Sequence, residues 1–200
     1  MSETSLPDSF KAALHALVRW LEAEQTPYAA IGGVAVSLIA HPRATQDIDA
    51  VVWLDESHWA SFILAGEDYG FGARISEPLE FAARSHVLLL QHRESGISVD
   101  LSCGALPFER EMIERAVTLQ VGETKLKVPT VEDLIITKAV AQRAKDLIDI
   151  EALLNVEKKP DLARIRYWVR EFAGVLEMPE MLENIESLIQ RSHATGNHAI

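Results

Sequence analysis

Ile31-Gly32-Gly33 and, thirteen residues further on, Asp47-Ile48-Asp49 carry most of the structural information in this chain. Tyr28–Ile31 is typical of a short buried strand, and the two glycines are typical of a tight turn that leads into a short helix. Ile48–Leu54 is rich in β-branched residues, which predicts a second strand. Because strand side chains alternate in direction, the two aspartates project from one face, about 7 Å apart along the strand.

Two carboxylates on one face repel each other unless a cation lies between them. Divalent cations prefer carboxylate oxygens, so the pair is a candidate metal site. A third carboxylate, Asp100, lies in Ile97–Leu101, where polar and apolar residues alternate. If this strand lies beside the first, Asp100 joins Asp47 and Asp49, and two metal ions could be held there. The alternatives left open are a solvated Asp-x-Asp pair on an edge strand and an ordinary outward-facing Asp100.

The composition is that of an ordinary globular protein, with 200 residues of which 48% are hydrophobic and 24% charged. The net charge of −11 disfavours a general nucleic-acid coating role, which requires basic surfaces. No apolar run approaches the roughly 20 residues of a membrane span. Met1–Pro7 lacks the basic start and apolar stretch of a signal peptide, which predicts a cytoplasmic location. The single cysteine, Cys103, excludes an internal disulfide and a structural zinc cluster.

Local patterns predict an α/β half followed by a helical half. An amphipathic helix begins near Ser9, and two antiparallel hairpins are predicted for 86–101 and 119–128, with turns at Glu94-Ser95-Gly96 and Gly122-Glu123. Four helices are expected near 131–143, 145–155, 161–172 and 179–191, and another over 107–117. Residues 69–85 show no clear pattern. The predicted domains are a core with its N-terminal helix (1–128), a helical subdomain (129–192) and a polar tail (193–200).

The segment Arg43-Ala44-Thr45-Gln46-Asp47-Ile48-Asp49, together with the upstream glycines, resembles the signature of the nucleotidyltransferase superfamily. It is most similar to the branch of AbiEii-type toxins and small antibiotic nucleotidyltransferases. That pattern comprises a Gly-Gly or Gly-Ser turn, a spacer, Asp-x-Asp, and a third Asp on a later strand. The resemblance implies an α/β (α+β) nucleotidyltransferase fold with a mixed sheet and a C-terminal helical subdomain.

The resemblance also implies roles for individual residues. Asp47, Asp49 and Asp100 would bind Mg²⁺ or Mn²⁺ as metal ligands and act as catalytic residues. Gly32 and Gly33 would let the backbone approach the nucleotide phosphates without an intervening side chain. Two further nucleotide-binding candidates have open alternatives: Arg43 could meet a phosphate or form a loop salt bridge, and Thr45 could hydrogen-bond within the turn.

A second resemblance to AbiEii-like proteins lies downstream, in Leu134–Lys138 and in Lys145–Asp149. It implies that Lys138 contacts the triphosphate and that Asp146 orients the site or assists deprotonation of the acceptor. Asp149 lies three residues after Asp146 and so shares its helical face. Without the resemblance, these residues would be interpreted as surface lysines and a solvated acidic face.

The implied function is transfer of a nucleoside monophosphate from an NTP to an acceptor hydroxyl on RNA, protein or a small molecule. The resemblance further suggests a toxin with an antitoxin protein as partner. Two alternatives remain open: an inactive nucleotide- or protein-binding module of the same fold, and a metal-dependent phosphohydrolase. A local basic face for an RNA acceptor could form in the helical half from Lys138, Arg143, Lys145, Lys158, Lys159, Arg164, Arg166 and Arg170.

Overall fold

The computed structural model describes residues 6–42, 45–157 and 159–196, with side chains as far as residue 192. The chain divides into two compact units. We call them the sheet unit (Met1–Leu38 and Pro42–Pro129) and the helical unit (Ile39–His41 and Thr130–Ile200).

The sheet unit contains seven described strands: β1 (Tyr28–Ile31), β2 (Asp47–Val52), β3 (Phe71–Ala73), β4 (Val87–His92), β5 (Ser98–Cys103), β6 (Val117–Val121) and β7 (Thr124–Val128). Five of them form one sheet in the order β1-β2-β5-β4-β3, and β6 and β7 form a separate hairpin. The β2–β5 pair is parallel, whereas the other neighbours in the large sheet are antiparallel. The predicted mixed sheet and both predicted hairpins are therefore confirmed.

The helices of this unit are α1 (Asp8–Ala23), α2 (Gly32–Ile39), α3 (Trp59–Gly66), α4 (Pro78–Ser85) and α5 (Pro107–Glu114). The predicted α1 is confirmed, and its apolar stripe is buried. α5 ends before Val117, which the pattern had assigned to this helix, because Val117 begins β6 instead. β3 and α4 both lie in residues 69–85, where no element was predicted.

The core of the sheet unit fixes the register of β2 and β5. Ile48, Ala50, Val99 and Leu101 are at most 1% exposed, and they alternate with the polar positions of the same strands. A slip of one residue would turn the polar side chains inward and the apolar ones outward. Elsewhere in this core, Trp20 stacks on the rings of Phe62 and Phe71, with centroids 4.2 and 5.3 Å away.

The helical unit contains four described helices: α6 (Val131–Ala141), α7 (Ala144–Val156), α8 (Leu162–Leu176) and α9 (Glu180–Gly196). These four predicted helices are confirmed, and α9 extends into the segment that was predicted as a polar tail. Ion pairs link α8 to its neighbours: Arg164 Nε lies 2.7 Å from Asp133 Oδ1 on α6, and Arg166 contacts Glu186 on α9 through two hydrogen bonds. No described helix is long and apolar enough to cross a membrane.

Gly66 provides a test of how tightly the Trp20 cluster is packed. A Cβ at this position would lie 2.7 Å from two atoms of the Trp20 ring. We therefore expect Gly66→Ala to lower the free energy of unfolding by about 1–3 kcal/mol in urea denaturation, because overpacking strains a filled core. The matched control is Gly174→Ala, a helix position where the added Cβ has no atom within 4 Å. It should be neutral or stabilising by up to about 1 kcal/mol, and equal effects of the two variants would contradict the packing argument.

Candidate functional site

Two carboxylates face each other across the centre of the sheet. Asp49 on β2 is the direct register partner of Asp100 on the parallel strand β5, and Asp47 is the partner of Ser98. Neighbouring strands lie about 4.8 Å apart, and partners in register project from the same face. The sequence analysis left open whether the two aspartate-bearing strands are neighbours, and the structure places them side by side.

The exposure of the three aspartates differs along this face. Asp49 and Asp100 are half-buried, whereas Asp47, at the first position of β2, is exposed. The Thr45 hydroxyl donates a hydrogen bond to the Asp47 carbonyl oxygen at 3.1 Å and lies 3.5 Å from its carboxylate. This contact supports the alternative in which Thr45 shapes the turn. The other candidate in this loop, Arg43, lies outside the described residues.

Gly32 lies directly against the Asp49 carboxylate. Its φ is +63°, which disfavours residues with a Cβ, and a Cβ built there would lie 2.1 Å from Asp49 Oδ2. Gly33 is buried in the first turn of α2. Glycine at position 32 is therefore required twice, once by the backbone conformation and once by the space that Asp49 occupies.

Arg74 reaches the same face and was not identified from the sequence. Its Nη2 lies 2.7 Å from Asp100 Oδ1, and about 30% of each side chain remains exposed. Asp100 Oδ1 is buried and accepts no hydrogen bond from the described residues, so the contact is an ion pair without good hydrogen-bond direction. Arg74 follows the three-residue strand β3, which is too short to show a strand periodicity, and no local pattern identifies it.

The Asp49–Asp100 pair has the chemistry of a divalent-cation site. It offers hard oxygen donors on adjacent strands, one of them lacking a hydrogen bond, beside a glycine that contributes no side chain. Within the described part of the chain, no three His, Cys, Asp or Glu side chains are arranged to hold a metal ion. The pair therefore fits a cation with two protein carboxylates, and metal binding by all three aspartates stays a prediction.

Cys103, at the end of β5, does not behave as a nucleophile. Its side chain is buried, and burial, together with the nearby charge of Glu109, raises the pKa of the thiol to about 12. Because the thiolate is the reactive form, this cysteine is inert near neutral pH. Cys103 therefore serves as a small buried side chain in the core of the sheet unit.

The downstream candidates form a buried cluster within the helical unit. Lys138 on α6 is 4% exposed, and its Nζ lies 3.0 Å from Asp146 Oδ1 and 2.9 Å from Asp149 Oδ2, both on α7. Their interpretation as surface lysine and solvated acids is therefore wrong for these three residues. Lys138 and Asp146 are predicted to act on the nucleotide, and in this structure Lys138 is held by carboxylates.

Asp146 also caps its own helix. It accepts hydrogen bonds from the Arg143 backbone N–H at 3.2 Å and from Arg143 Nε at 2.6 Å. Burial acts to raise the pKa of Asp146, but the hydrogen bonds and positive charges of Arg143 and Lys138 outweigh it and hold the pKa below its ordinary value of 3.8. The carboxylate is therefore ionised throughout the neutral range.

Asp146 should make the helical unit sensitive to acid. Because its pKa is lower in the folded chain than in the unfolded chain, its stabilising contribution is complete above the ordinary pKa and is lost as the pH falls through the folded value. We expect Asp146→Asn to lower the free energy of unfolding at pH 7 by about 2 kcal/mol. The variant should also lose less stability than the wild type between pH 5 and about 2.

Glu186→Gln is the matched control for this measurement. Its carboxylate is also ion-paired, with Arg166, but it is 35% exposed, so we expect a loss of less than about 1 kcal/mol. Urea titrations at several pH values measure both variants. A pH dependence of Asp146→Asn that superimposes on that of the wild type would contradict the assignment.

Gly32→Ala tests the contact between α2 and Asp49. We expect a loss of about 2–4 kcal/mol in the free energy of unfolding, since the left-handed backbone costs about 1–2 kcal/mol and the clash with the carboxylate adds to it. Gly122→Ala is the control, because Gly122 also has a positive φ, of +59°, but no atom within 4 Å of an added Cβ. The loss in the free energy of unfolding for this control should reflect the cost of the left-handed backbone alone.

A double-mutant cycle isolates the clash. In an Asp49→Ala background, the carboxylate atoms that a Cβ at position 32 would meet are gone, and only the Cβ of residue 49 remains close, at 3.0 Å. The penalty of Gly32→Ala should then fall toward that of Gly122→Ala without reaching it. An unchanged penalty would show that the two residues do not interact.

Comparisons with known structures support the fold. An antigenic nucleotidyltransferase-like protein from Paracoccidioides brasiliensis aligns with a TM-score of 0.53 and 17% identity, over 88% of this chain and 92% of that one. The lincomycin-bound lincosamide antibiotic adenylyltransferase LnuA aligns with a TM-score of 0.52 and 17% identity, over 72% and 96% of the two chains. The antibiotic-resistance factor ANT(2'')-Ia aligns with a TM-score of 0.50 and 12% identity, over 96% and 97%.

Sequence comparison identifies the family directly. No curated protein sequence matches the chain. The family described as "Nucleotidyl transferase AbiEii toxin, Type IV TA system" matches residues 15–193, which include every candidate residue named above. With a nucleotidyltransferase fold and a family match over most of its length, this chain belongs to the AbiEii nucleotidyltransferase family.

Proposed function

We propose that this chain transfers a nucleoside monophosphate from an NTP to an acceptor hydroxyl, with a divalent cation held by Asp49 and Asp100. The observation that carries the proposal is the direct register of these two carboxylates on adjacent parallel strands. Their side chains are half-buried, so the pair is both partly desolvated and open to a ligand. Membership of the AbiEii family supports the reaction class.

In the proposed reaction, each residue of the site has a separate role. Mg²⁺ or Mn²⁺ bound at the pair would neutralise charge on the triphosphate and on the departing pyrophosphate. Asp49 and Asp100 hold the cation, and Gly32 keeps the space beside Asp49 free of a side chain. Asp100 also accepts the proton of the attacking hydroxyl. The exposed Asp47 adds negative charge at the outer end of the same face.

Lys138 and Asp146 are assigned to orientation. Asp146 is fully buried and already accepts hydrogen bonds from Arg143 and Lys138, which supports a role in fixing α6 against α7 rather than in proton transfer. Lys138 Nζ has two carboxylate partners within 3.0 Å. A contact between Lys138 and the triphosphate would require it to exchange one of these partners.

The charge distribution supports a compact acceptor rather than a long RNA. Eight basic residues could form a basic face in the helical half, and Lys158 among them lies outside the described residues. Four of the described ones form ion pairs with carboxylates: Lys138, Arg143, Arg164 and Arg166. Each such pair removes a charge that would otherwise attract phosphates. The net charge of −11 acts in the same direction. We therefore favour a small molecule, a protein hydroxyl or a single RNA end as acceptor.

We further propose that this reaction makes the chain a toxin in the cell. The matching family is described as a toxin of type IV toxin–antitoxin systems. Expression of the chain should then arrest growth, a neighbouring gene product should relieve the arrest, and Asp49→Asn should abolish it.

Incubation with each α-labelled NTP, Mg²⁺ and fractionated cell extract tests the reaction. We expect one acceptor fraction to gain label, and Asp49→Asn to reduce labelling at least about 100-fold, because a catalytic cation contributes several kcal/mol to the rate. Asp68→Asn is the matched control: it makes the same charge change at an exposed position of the sheet unit and should leave labelling unchanged.

The products separate the remaining candidates. Free nucleoside monophosphate without labelled acceptor would indicate a phosphohydrolase. NTP binding without any product would indicate an inactive binding module, an alternative that the occupation of Asp100 by Arg74 favours. Equal labelling by the wild type and Asp49→Asn would contradict the proposed site.

A further inference from the structure

We propose that Arg74 is the built-in counter-charge of Asp100 in the Asp49–Asp100 pair and that a divalent cation displaces it from Asp100 on binding. Arg74 is thereby a positioning residue that sets the metal affinity of the site. The inference rests on the proposed function, since it assigns a cation to the same two carboxylates.

The backbone places Arg74 in line with both carboxylates. Its N–H donates a hydrogen bond to the Leu89 carbonyl oxygen at 3.1 Å. Leu89 on β4 is the register partner of Asp100, and Asp100 is the partner of Asp49. Arg74, Leu89, Asp100 and Asp49 therefore form one row across four neighbouring strand positions. The Arg74 guanidinium lies beside Asp100, with Nη2 2.7 Å from Oδ1.

The two neighbouring carboxylates in this row require a positive charge close to them. Like charges directly opposite each other on neighbouring strands are destabilising, and the register of β2 and β5 cannot change because their apolar residues are buried. Arg74 meets the requirement with a positive charge 2.7 Å from Asp100 Oδ1. A divalent cation between the carboxylates would meet it more fully, with twice the charge.

The contact is one that a metal ion can replace. The two side chains are 29% and 32% exposed, so solvent reaches the pair. Asp100 Oδ1 accepts no hydrogen bond from the described residues despite the short distance, so the guanidinium provides charge without a directional bond. Ion pairs whose side chains solvent partly reaches are weaker than fully buried ones, although the contacting oxygen Oδ1 is itself buried. The Asp100 oxygen is therefore covered by a group that can leave it at small cost.

The alternative is that the ion pair of Arg74 only stabilises the position of β3 relative to the centre of the sheet. In that case, removing its charge would destabilise the fold and leave the metal affinity unchanged or lower. If Arg74 competes with the cation, removing its charge raises the affinity. The two roles therefore predict different signs for the change in metal binding.

The experiment measures binding of Mn²⁺ alone to the full chain, from the loss of the free-ion signal in electron paramagnetic resonance. We expect Arg74→Gln to bind Mn²⁺ about threefold to fivefold more tightly than the wild type, the factor by which an exposed ion pair can compete. Arg74→Met, which removes the charge but keeps an unbranched apolar side chain, should show the same gain. Arg74→Lys, which keeps the charge, should bind Mn²⁺ almost as the wild type does.

Arg84→Gln is the matched control. Arg84 forms an exposed ion pair with Glu80 on α4, so the variant makes the same change in net charge away from the pair of aspartates. It should leave the affinity for Mn²⁺ within a factor of about two of the wild type. An equal gain in Arg84→Gln and Arg74→Gln would attribute the effect to net charge and overturn the proposal.

Thermal unfolding gives a second readout. Mn²⁺ at a fixed concentration should raise the Tm of Arg74→Gln by more than that of the wild type, because a tighter ligand stabilises the folded state more. Unchanged or weaker Mn²⁺ binding by Arg74→Gln and Arg74→Met, alongside binding by the wild type, overturns the role of Arg74 and leaves the metal site standing. No Mn²⁺ binding by the wild type overturns both.

Discussion

The register of β2 and β5, which holds the carboxylates of Asp49 and Asp100 side by side, is the constraint on which the site in the sheet unit depends. Apolar residues on the other face of β2 and β5 bury themselves completely, and that burial fixes the register. Once the register is fixed, two negative charges must share a row about 5 Å apart. The fold therefore uses the hydrophobic effect to maintain an electrostatic arrangement that would not persist in a flexible chain.

The helical unit also contains carboxylates that need a counter-charge, but there basic side chains of the protein supply it in a buried setting. Its buried carboxylates are neutralised permanently: Asp146 and Asp149 by Lys138 together with Arg143, and Asp133 by Arg164. Removing one partner from a buried pair leaves an uncompensated charge and costs about 3–5 kcal/mol. These pairs consequently join α6 to α7 and α8 as fixed connections. The same pairing removes basic charge that an extended nucleic-acid partner would need.

Much of the site could be predicted from local patterns, because the relevant information is local. Alternation along Ile97–Leu101 predicts that Asp100 points away from the core, and the Asp-x-Asp spacing places two carboxylates on one face. The hairpins and the four C-terminal helices follow from the same kind of local pattern, whereas the mixed sheet is an expectation that only the family resemblance implies. The two glycines alone predict a tight turn after β1, but only the structure shows that Gly32 lies against the Asp49 carboxylate.

What the sequence could not provide are contacts between distant residues without a periodic pattern. Arg74 follows a three-residue strand inside residues 69–85, and it meets a carboxylate 26 positions away. Lys138 looks like an ordinary helix lysine until α7 folds back and places two carboxylates beside it. Such ion pairs depend on the tertiary arrangement, so a single sequence does not encode them at short range.

The contrast between Lys138 and Arg74 also indicates which carboxylates are available for chemistry. Lys138 is 4% exposed and bound on two sides, so moving it away would leave buried charges unpaired. Arg74 is 29% exposed and contacts a single oxygen, and an ion pair that solvent partly screens is worth about 1 kcal/mol. The free energy of cation binding can offset the loss of the Arg74 ion pair, but it cannot offset the cost of opening the buried cluster around Lys138. The difference in burial thus assigns the exchangeable site to the sheet unit and the structural one to the helical unit.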